Sequence, residues 1–290
     1  MELLKPEFAL EFLVNIRENF PKPLVELWGD DIIRNPLLWF EEVQKKAKVI
    51  GADYISVYFN IDDDFAKIDE NVKLFENIQA KAELPLIIRG SGQKAFDAEF
   101  LPKIAEKVNK PSIIAFAQDL NYEPIVKSIL KSPCGADIRL VLRAPIDINL
   151  TKELNILCKD LGFNPENIIM DTDTGCVGMG LDYGYSIIER LKIAKKEGDE
   201  VLNPPIIVFS GEESFKSKES KSDDFKDTRG SLKVRSCAVE IATSTALLCA
   251  GADIIVCQNP RTIEAMAPLV CEKLKPEAGF AGRASKGGLL

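Results

Sequence analysis

Apolar residues in this chain come in two alternating textures. Short continuous runs recur: LVELWG (24–29), YISVYFN (54–60), PLIIRGSG (85–92), SIIAFAQ (112–118), DIRLVLRA (137–144), NIIMDTDTG (167–175), PPIIVFSG (204–211) and DIIVCQNP (253–260). Strands buried on both faces read as such runs. Between them the apolar positions fall at helical spacing, near 36–49, 66–82, 94–109, 122–132, 150–162, 184–196, 236–250 and 261–275. Eight consecutive strand–helix units predict an α/β fold, a single (β/α)8 TIM barrel. A doubly wound open sheet is the competing arrangement. It more often has fewer strands and a G-x-G-x-x-G turn after the first, and here the first run ends in WGDD.

The barrel is expected over 24–275. Residues 1–23 are expected to be an N-terminal extension capping its floor. The tail 276–290, PEAGFAGRASKGGLL, is expected to be loose. Residues 213–233, ESFKSKESKSDDFKDTRGSLK, read as a polar insert forming a mobile surface loop.

Composition narrows the chemistry. Among 290 residues there is no histidine. That excludes Ser–His and Cys–His catalysis, His-metal sites and a histidine axial ligand to haem or cobalt. Any acid or base here is Asp, Glu, Lys, Tyr or Cys. Cysteines stand at 134, 158, 176, 237, 249, 257 and 271, an odd number with no C-x-x-C pair. Disulfide scaffolds, zinc knuckles and iron–sulfur ligation are therefore not expected of this chain. A net charge of −8 argues against nonspecific nucleic-acid binding. The N-terminus has no secretory pattern, and the most apolar segment, IATSTALLCAGA, is too short to span a bilayer. A soluble, cytoplasmic protein is expected.

A barrel of this kind works at the C-terminal ends of its strands. The candidates there are Glu26, Asp30, Asn60, Arg89, Gln118, Asp119, Asn121, Arg143, Asp147, Asn149, Asp171 to Thr174, Ser210, Gln258 and Asn259. Each has a structural alternative. Asp147, Asn149 and Asn121 are placed to cap helices, and Asp171 and Asp173 to bond loop amides. Arg89 and Arg143 are placed to pair with these acids. The run GCVGMG carries Gly175, Gly178 and Gly180 just before a helix start. Such glycines permit positive φ and close approach of a large ligand, and a helix start favours an anion. A tight structural turn is the alternative. No Gly-Lys-Ser/Thr follows, so this is not a P-loop.

DTDTGCVGMGLDYGYSIIERLKIA (171–194) resembles the signature of the small, barrel-forming subunit of the corrinoid iron–sulfur protein, also called the delta subunit of acetyl-CoA decarbonylase/synthase. PLVELWGD, PLIIRGSG, NYEPI, APIDINLTKELNILCKDLGFNPENIIMD and ALLCAGADIIV agree in order, so the resemblance covers most of 20–260. It implies a TIM barrel related to pterin-binding methyltransferases. It implies a heterodimer with a large subunit that carries the iron–sulfur cluster and a cobamide domain. It also implies transient contact with a methyltransferase and with acetyl-CoA synthase. The cobamide would lie between barrel and partner, carrying a methyl group from a methyltetrahydropterin, with no cluster in this chain and no nucleic-acid or membrane partner. Residue by residue, Asp171, Thr172, Thr174, Gly175, Gly178, Gly180 and Tyr183 match the cobamide-facing loop, and Asp147 and Asn149 a second block, as rim polar contacts. Thr172 stands where the family usually has proline, and Gln258-Asn259-Pro260 where it has Arg-His-Pro. The family's tryptophan-containing stretch before the seventh helix is replaced by the polar insert, as in a divergent member. The competing function is a free-standing pterin-dependent methyltransferase acting on a separate corrinoid protein.

Overall fold

Eight parallel strands close on themselves in chain order: β1 (Glu7–Leu13), β2 (Tyr54–Tyr58), β3 (Leu86–Arg89), β4 (Ser112–Ala117), β5 (Ile138–Arg143), β6 (Ile168–Asp171), β7 (Ile206–Val208) and β8 (Ile254–Cys257). β1 pairs with both β2 and β8, which completes the ring. The computed structural model describes residues 5–17, 19–61, 64–225 and 227–270; the tail 276–290 lies outside them. The expected TIM barrel is the fold observed.

Helices lie between the strands: α1 (Lys22–Trp28), α2 (Asp30–Ile33), α3 (Pro36–Ile50), α4 (Ile68–Lys81), α5 (Lys94–Lys107), α6 (Tyr122–Lys131), α7 (Ile148–Asp160), α8 (Leu181–Lys196), α9 (Ser210–Ser214), α10 (Lys218–Lys221), α11 (Leu232–Ala250) and α12 (Pro260–Val270). Alternate residues of each strand face outward to the helices or inward to the barrel axis. The outward set joins helix side chains such as Trp39, Phe40, Phe75 and Phe100 in one large core. The inward set forms a second core: Ala9, Ile87, Ile113, Val141, Ile169, Ile207 and Ile254, topped by Phe116 and Phe209. The register of β4 on β5 shifts between Ala115 and Ala117, and both Ala115 and Phe116 belong to the inner core. An irregularity of this kind re-aims a side chain. Here it delivers an aromatic ring to the axis.

The first strand is not LVELWG. Residues 24–28 belong to α1, which opens with Pro23 in its first turn and ends where Gly29 takes φ 89°. Proline suits a helix start, and Leu24 and Trp28 lie one turn apart. The strand is EFALEFL (7–13), inside the segment expected to be an extension. Its apolar run is broken by Glu11, which is buried to 1% exposure. By strand alternation Glu11 shares the inward face with Ala9, so a charge that disguised the strand is an interior group. Glu26 and Asp30 consequently sit on exposed helical positions rather than at a strand end.

The insert is folded rather than loose. α9 and α10 occupy it, and Phe215, Ser217 and Ser220 are buried. Arg235 on α11 organises it: its guanidinium donates to the carbonyls of Glu219 (2.8 Å), Gly230 (2.7 Å) and Ser222 (2.5 Å) and stands 4.5 Å from the Phe225 ring centroid. One planar cation with several donors gathers carbonyls that a polar composition leaves without a core.

Candidate active face: a filled mouth and an open rim

The C-terminal strand ends carry two distinct arrangements. At the axis, Arg89 from β3 is buried. It donates to both oxygens of Glu11 at 3.2 and 3.3 Å and to Glu212 on α9. Glu11 also accepts from the Ser56 hydroxyl and from the Gln258 side-chain amide, each at 3.0 Å. The Arg89 guanidinium stacks 3.8 Å from the Tyr58 ring centroid. Arg143 from β5 stacks 3.4 Å from the Phe116 centroid and donates to Asp171 at 2.6 Å. Phe116 and Phe209 meet edge to face at 4.9 Å. The mouth is thus closed by layers of guanidinium and aromatic ring, a stable pairing of cation with π-face.

Burial opposes the charge of Glu212, but Arg89, Lys216 and Arg143 overcome it and hold the carboxyl at about 2. Burial likewise works against the Arg89 charge, and Glu212 and Glu11 raise its pKa nonetheless. Each buried charge therefore has a counter-charge from the same chain. The cleft left over this cluster, lined by Tyr58, Asn60, Glu212, Lys216 and Gln258, has a volume of about 170 Å³. That is below the ~300–1,000 Å³ of ordinary small-molecule sites.

The rim after β4, β5 and β6 differs. Leu120, Ile146, Val177, Met179 and Tyr183 are all exposed there, Tyr183 to 64%. They come from three adjacent strand ends, and the Ile146 N–H donates to the Thr172 carbonyl at 3.0 Å, tying two of the loops together. Ile146 and Asp173 hold φ of 47° and 50°. Positive φ is costly for a β-branched residue, and such strain gathers at functional loops. A hollow of about 610 Å³ is lined by Val177, Gly178, Gly180, Leu181, Asp182 and Tyr185. A groove of about 780 Å³ between α2–α3 and α4 is larger, but it is lined by none of the nine site residues expected from sequence.

Those nine fall into three groups. Asp171, Thr172 and Thr174 are buried. Asp171 pairs with Arg143 and accepts the Asp173 N–H at 2.9 Å, and burial raises its carboxyl above the ordinary value against the pull of Arg143. Thr174 packs so closely on Gly184 that a Cβ there would lie 2.7 Å from it. These residues brace the loop from beneath. Gly175, Gly178, Gly180 and Tyr183 form its turn and surface. A Cβ on Gly175 would meet the Met179 carbonyl oxygen at 2.0 Å, whereas one on Gly178 would meet nothing within 4 Å. Gly175 thus serves the turn, while Gly178 faces open space. Asp147 and Asn149 are exposed, and Asp147 caps α7, accepting the N–H groups of Asn149 (2.8 Å) and Leu150 (3.1 Å).

Sequence reasoning did not find Glu11, Tyr58, Phe116, Phe209, Glu212 or Lys216. Glu11 lay in the supposed extension, and Glu212 and Lys216 lay in or beside the supposed loop. Arg89 and Arg143 were the available signal, since two arginines at the ends of apolar strands require counter-charges.

Solved structures with this architecture include the dihydropteroate synthase of Yersinia pestis in complex with a sulfonamide drug. It has TM-score 0.59 and 11% identity, covering 93% of this chain and 94% of that one. That likeness shows the fold. Among curated proteins, the delta subunit of the acetyl-CoA decarbonylase/synthase complex of Archaeoglobus fulgidus is 31% identical over 248 residues, 81% of this chain and 53% of that protein. The Methanopyrus kandleri delta subunit is 29% identical over 194 residues, 64% and 46% of the two chains. The chain spans about half the length of the curated relatives it matches. The family described as CO dehydrogenase/acetyl-CoA synthase delta subunit matches residues 16–270, which takes in the barrel after β1 through α12, the mouth residues other than Glu11 and the glycine loop of the rim. With that match extending through all but the first strand of the barrel, the chain belongs to the CO dehydrogenase/acetyl-CoA synthase delta subunit family.

Proposed function

We propose that this chain is the small, delta-type subunit of a corrinoid iron–sulfur methyl-carrier complex of the reductive acetyl-CoA pathway, and that its β4–β6 rim helps enclose a cobamide held mainly by a larger subunit. The observation that carries this reading is the contrast at the C-terminal face. The axis, where a free-standing barrel enzyme would take its substrate, is filled by the chain's own ion pairs. The open, apolar, glycine-lined surface lies to one side, and family membership makes a multisubunit setting the natural one.

The rim residues fit a broad, flat cofactor. Gly178 leaves room above the backbone, and Val177, Met179 and Tyr183 offer exposed apolar surface beside it. The Thr172 hydroxyl beneath the loop is buried without a hydrogen-bond partner among the described residues. Gly180 and Tyr183 would face the cobamide with Gly178; Asp171, Thr172, Thr174 and Gly175 would hold the loop; Asp147 and Asn149 would sit at the edge. When bound, the cobamide supplies the cobalt that carries a methyl group from a methyltetrahydropterin toward acetyl-CoA synthase. This chain's side chains would orient the ring and exclude water. A ligand to cobalt from this chain is not required, which is consistent with a sequence without histidine.

Co-expression with the large corrinoid iron–sulfur subunit tests the reading. A stoichiometric heterodimer containing cobalt and iron is expected. If the chain purifies alone and turns over methyltetrahydrofolate with a separate corrinoid protein, it is instead a free-standing methyltransferase.

A further inference from the structure

A second carboxylate at the strand ends takes no part in the ion pairs of the mouth. Glu240 projects from α11 and is completely buried. One oxygen accepts the Gln258 N–H at 2.6 Å. The Asn259 N–H is shared between both oxygens at 3.3 and 3.1 Å. The second oxygen also accepts the Thr262 hydroxyl at 2.6 Å. These donors belong to the end of β8 and the first turn of α12. Gly211 on α9 forms the opposite wall: a Cβ there would lie 2.6 Å from the Gln258 nitrogen and 2.8 Å from a Glu240 oxygen. The absence of a side chain at 211 is what lets the end of β7 close over the carboxylate.

Convergent backbone N–H groups after the seventh and eighth strands are where barrels of this architecture commonly hold a phosphate. In this chain a side chain fills that place. We propose that Glu240 is a built-in anion, seated in an oxyanion cradle suited to a carboxylate or phosphate group, and that it thereby positions Gln258 for the mouth. Gln258 donates its backbone N–H to Glu240 and its side-chain amide to Glu11, the partner of Arg89. Glu240 is therefore a positioning residue, one step behind the mouth. Two consequences follow from a filled cradle. A phosphate-bearing ligand has no place there, and above pH 7, where burial lets Glu240 ionise, the ion pairs of the mouth rest on an anion that never leaves.

The other titratable groups facing Glu240 are Glu11 on β1, whose charge raises the Glu240 carboxyl, Cys257 on β8 and Cys237 on its own helix. All three donors are neutral dipoles, so the cradle distinguishes an anion from a neutral group by hydrogen-bond polarity alone.

The test, run at pH 8 where the native carboxyl is ionised, is chemical rescue of Glu240→Ala by sodium acetate, with acetamide as the neutral isostere and sodium chloride matching ionic strength. Glu240→Ala should unfold about 10 °C below the unsubstituted chain. Acetate should restore several degrees and acetamide none. Amide exchange at Gln258 and Asn259 should accelerate at least tenfold in the variant and slow again in acetate. The unsubstituted chain and Glu240→Gln should gain no more from acetate than from chloride, because their cradles are filled. The proposal is overturned if acetate and acetamide act alike on Glu240→Ala, or if Glu240→Gln matches the unsubstituted chain in both melting temperature and exchange. Should Glu240→Ala not fold in chloride, refolding yield in acetate against acetamide gives the same comparison, and equal yields overturn the proposal.

Discussion

The mouth and the rim of this barrel are built from ends of the same sheet and treat their side chains in opposite ways. At the mouth, Arg89, Glu11, Glu212 and Gln258 bond one another with almost no exposure of Arg89 or Glu11, although the Arg89 Nε is left without a partner among the described residues. On the rim, Leu120, Ile146, Val177, Met179 and Tyr183 stand in water, and two non-glycine residues hold positive φ. The difference separates stability from recognition. Paired buried charges are expensive to disturb and have little left to offer a ligand. Exposed apolar side chains on braced loops contribute little to folding and much to an interface.

The comparison breaks most visibly at Arg89. Replacing it by Met leaves Glu11 buried without a cation and Glu212 with Lys216 alone as its ion-pair partner, and about 3–5 kcal/mol of stability should be lost. Denaturant unfolding measures it. A loss below about 1 kcal/mol would mean that the mouth is held by something other than this pair. Adding Glu11→Gln should recover part of the loss, because the orphaned charge is then removed.

The rim should respond in the reverse sense. Met179→Asp and Tyr183→Ala should alter unfolding by no more than about 0.5 kcal/mol, yet cut cobamide retention by the assembled complex at least tenfold. Gly178→Val should do the same with an added strain of about 1–2 kcal/mol, since its φ is 79°. Unchanged cobalt content in all three would remove this loop from the cofactor surface.

Acidity sharpens the contrast further. Glu212 is held at about 2 against an ordinary 4.5, so its contribution is present above 4.5 and disappears as the pH falls toward 2. Glu240 has the opposite sign. Burial raises it from 4.5 to about 7, so its contribution is present below 4.5 and is lost as the pH rises through 7. Stability should therefore peak near pH 5. Glu212→Gln should flatten the acid limb and Glu240→Gln the neutral limb. A wild-type profile that rises steadily from pH 5 to 8 would mean that Glu240 is already ionised well below 7.

The smallest effect belongs to Asp147. As the cap of α7 it should cost about 1 kcal/mol when replaced by Ala, read as a shift in the unfolding midpoint. A fall in cobamide retention larger than the fall in stability would add it to the binding surface.

Seven of the eight strands were legible as apolar runs, because a strand covered on both faces needs little else. β1 was not, because Glu11 interrupts it and a single sequence does not say that Arg89 waits 78 positions away. LVELWG reads as a strand because short apolar runs are ambiguous, and Pro23 with Gly29 is the helix punctuation that the structure obeys instead. The glycine loop was placed correctly after the sixth strand. Its residues divide into braces and surface only when burial is known: Thr172 and Gly178 are neighbours in one polar stretch, yet one is sealed and the other open. The insert read as a loop because its composition is polar, and its order depends on Arg235 reaching three carbonyls from the next helix.

By itself the sequence determined the barrel, the position of the glycine loop at its working face and the absence of histidine chemistry. Those follow from local periodicity, chain order and composition, which need no knowledge of distant contacts. Only the tertiary structure decided that the mouth is closed and the rim open. That outcome depends on which charge meets which across the barrel, and Glu11, Arg89, Glu212, Glu240 and Gln258 find one another only when eight strand ends converge on a single axis.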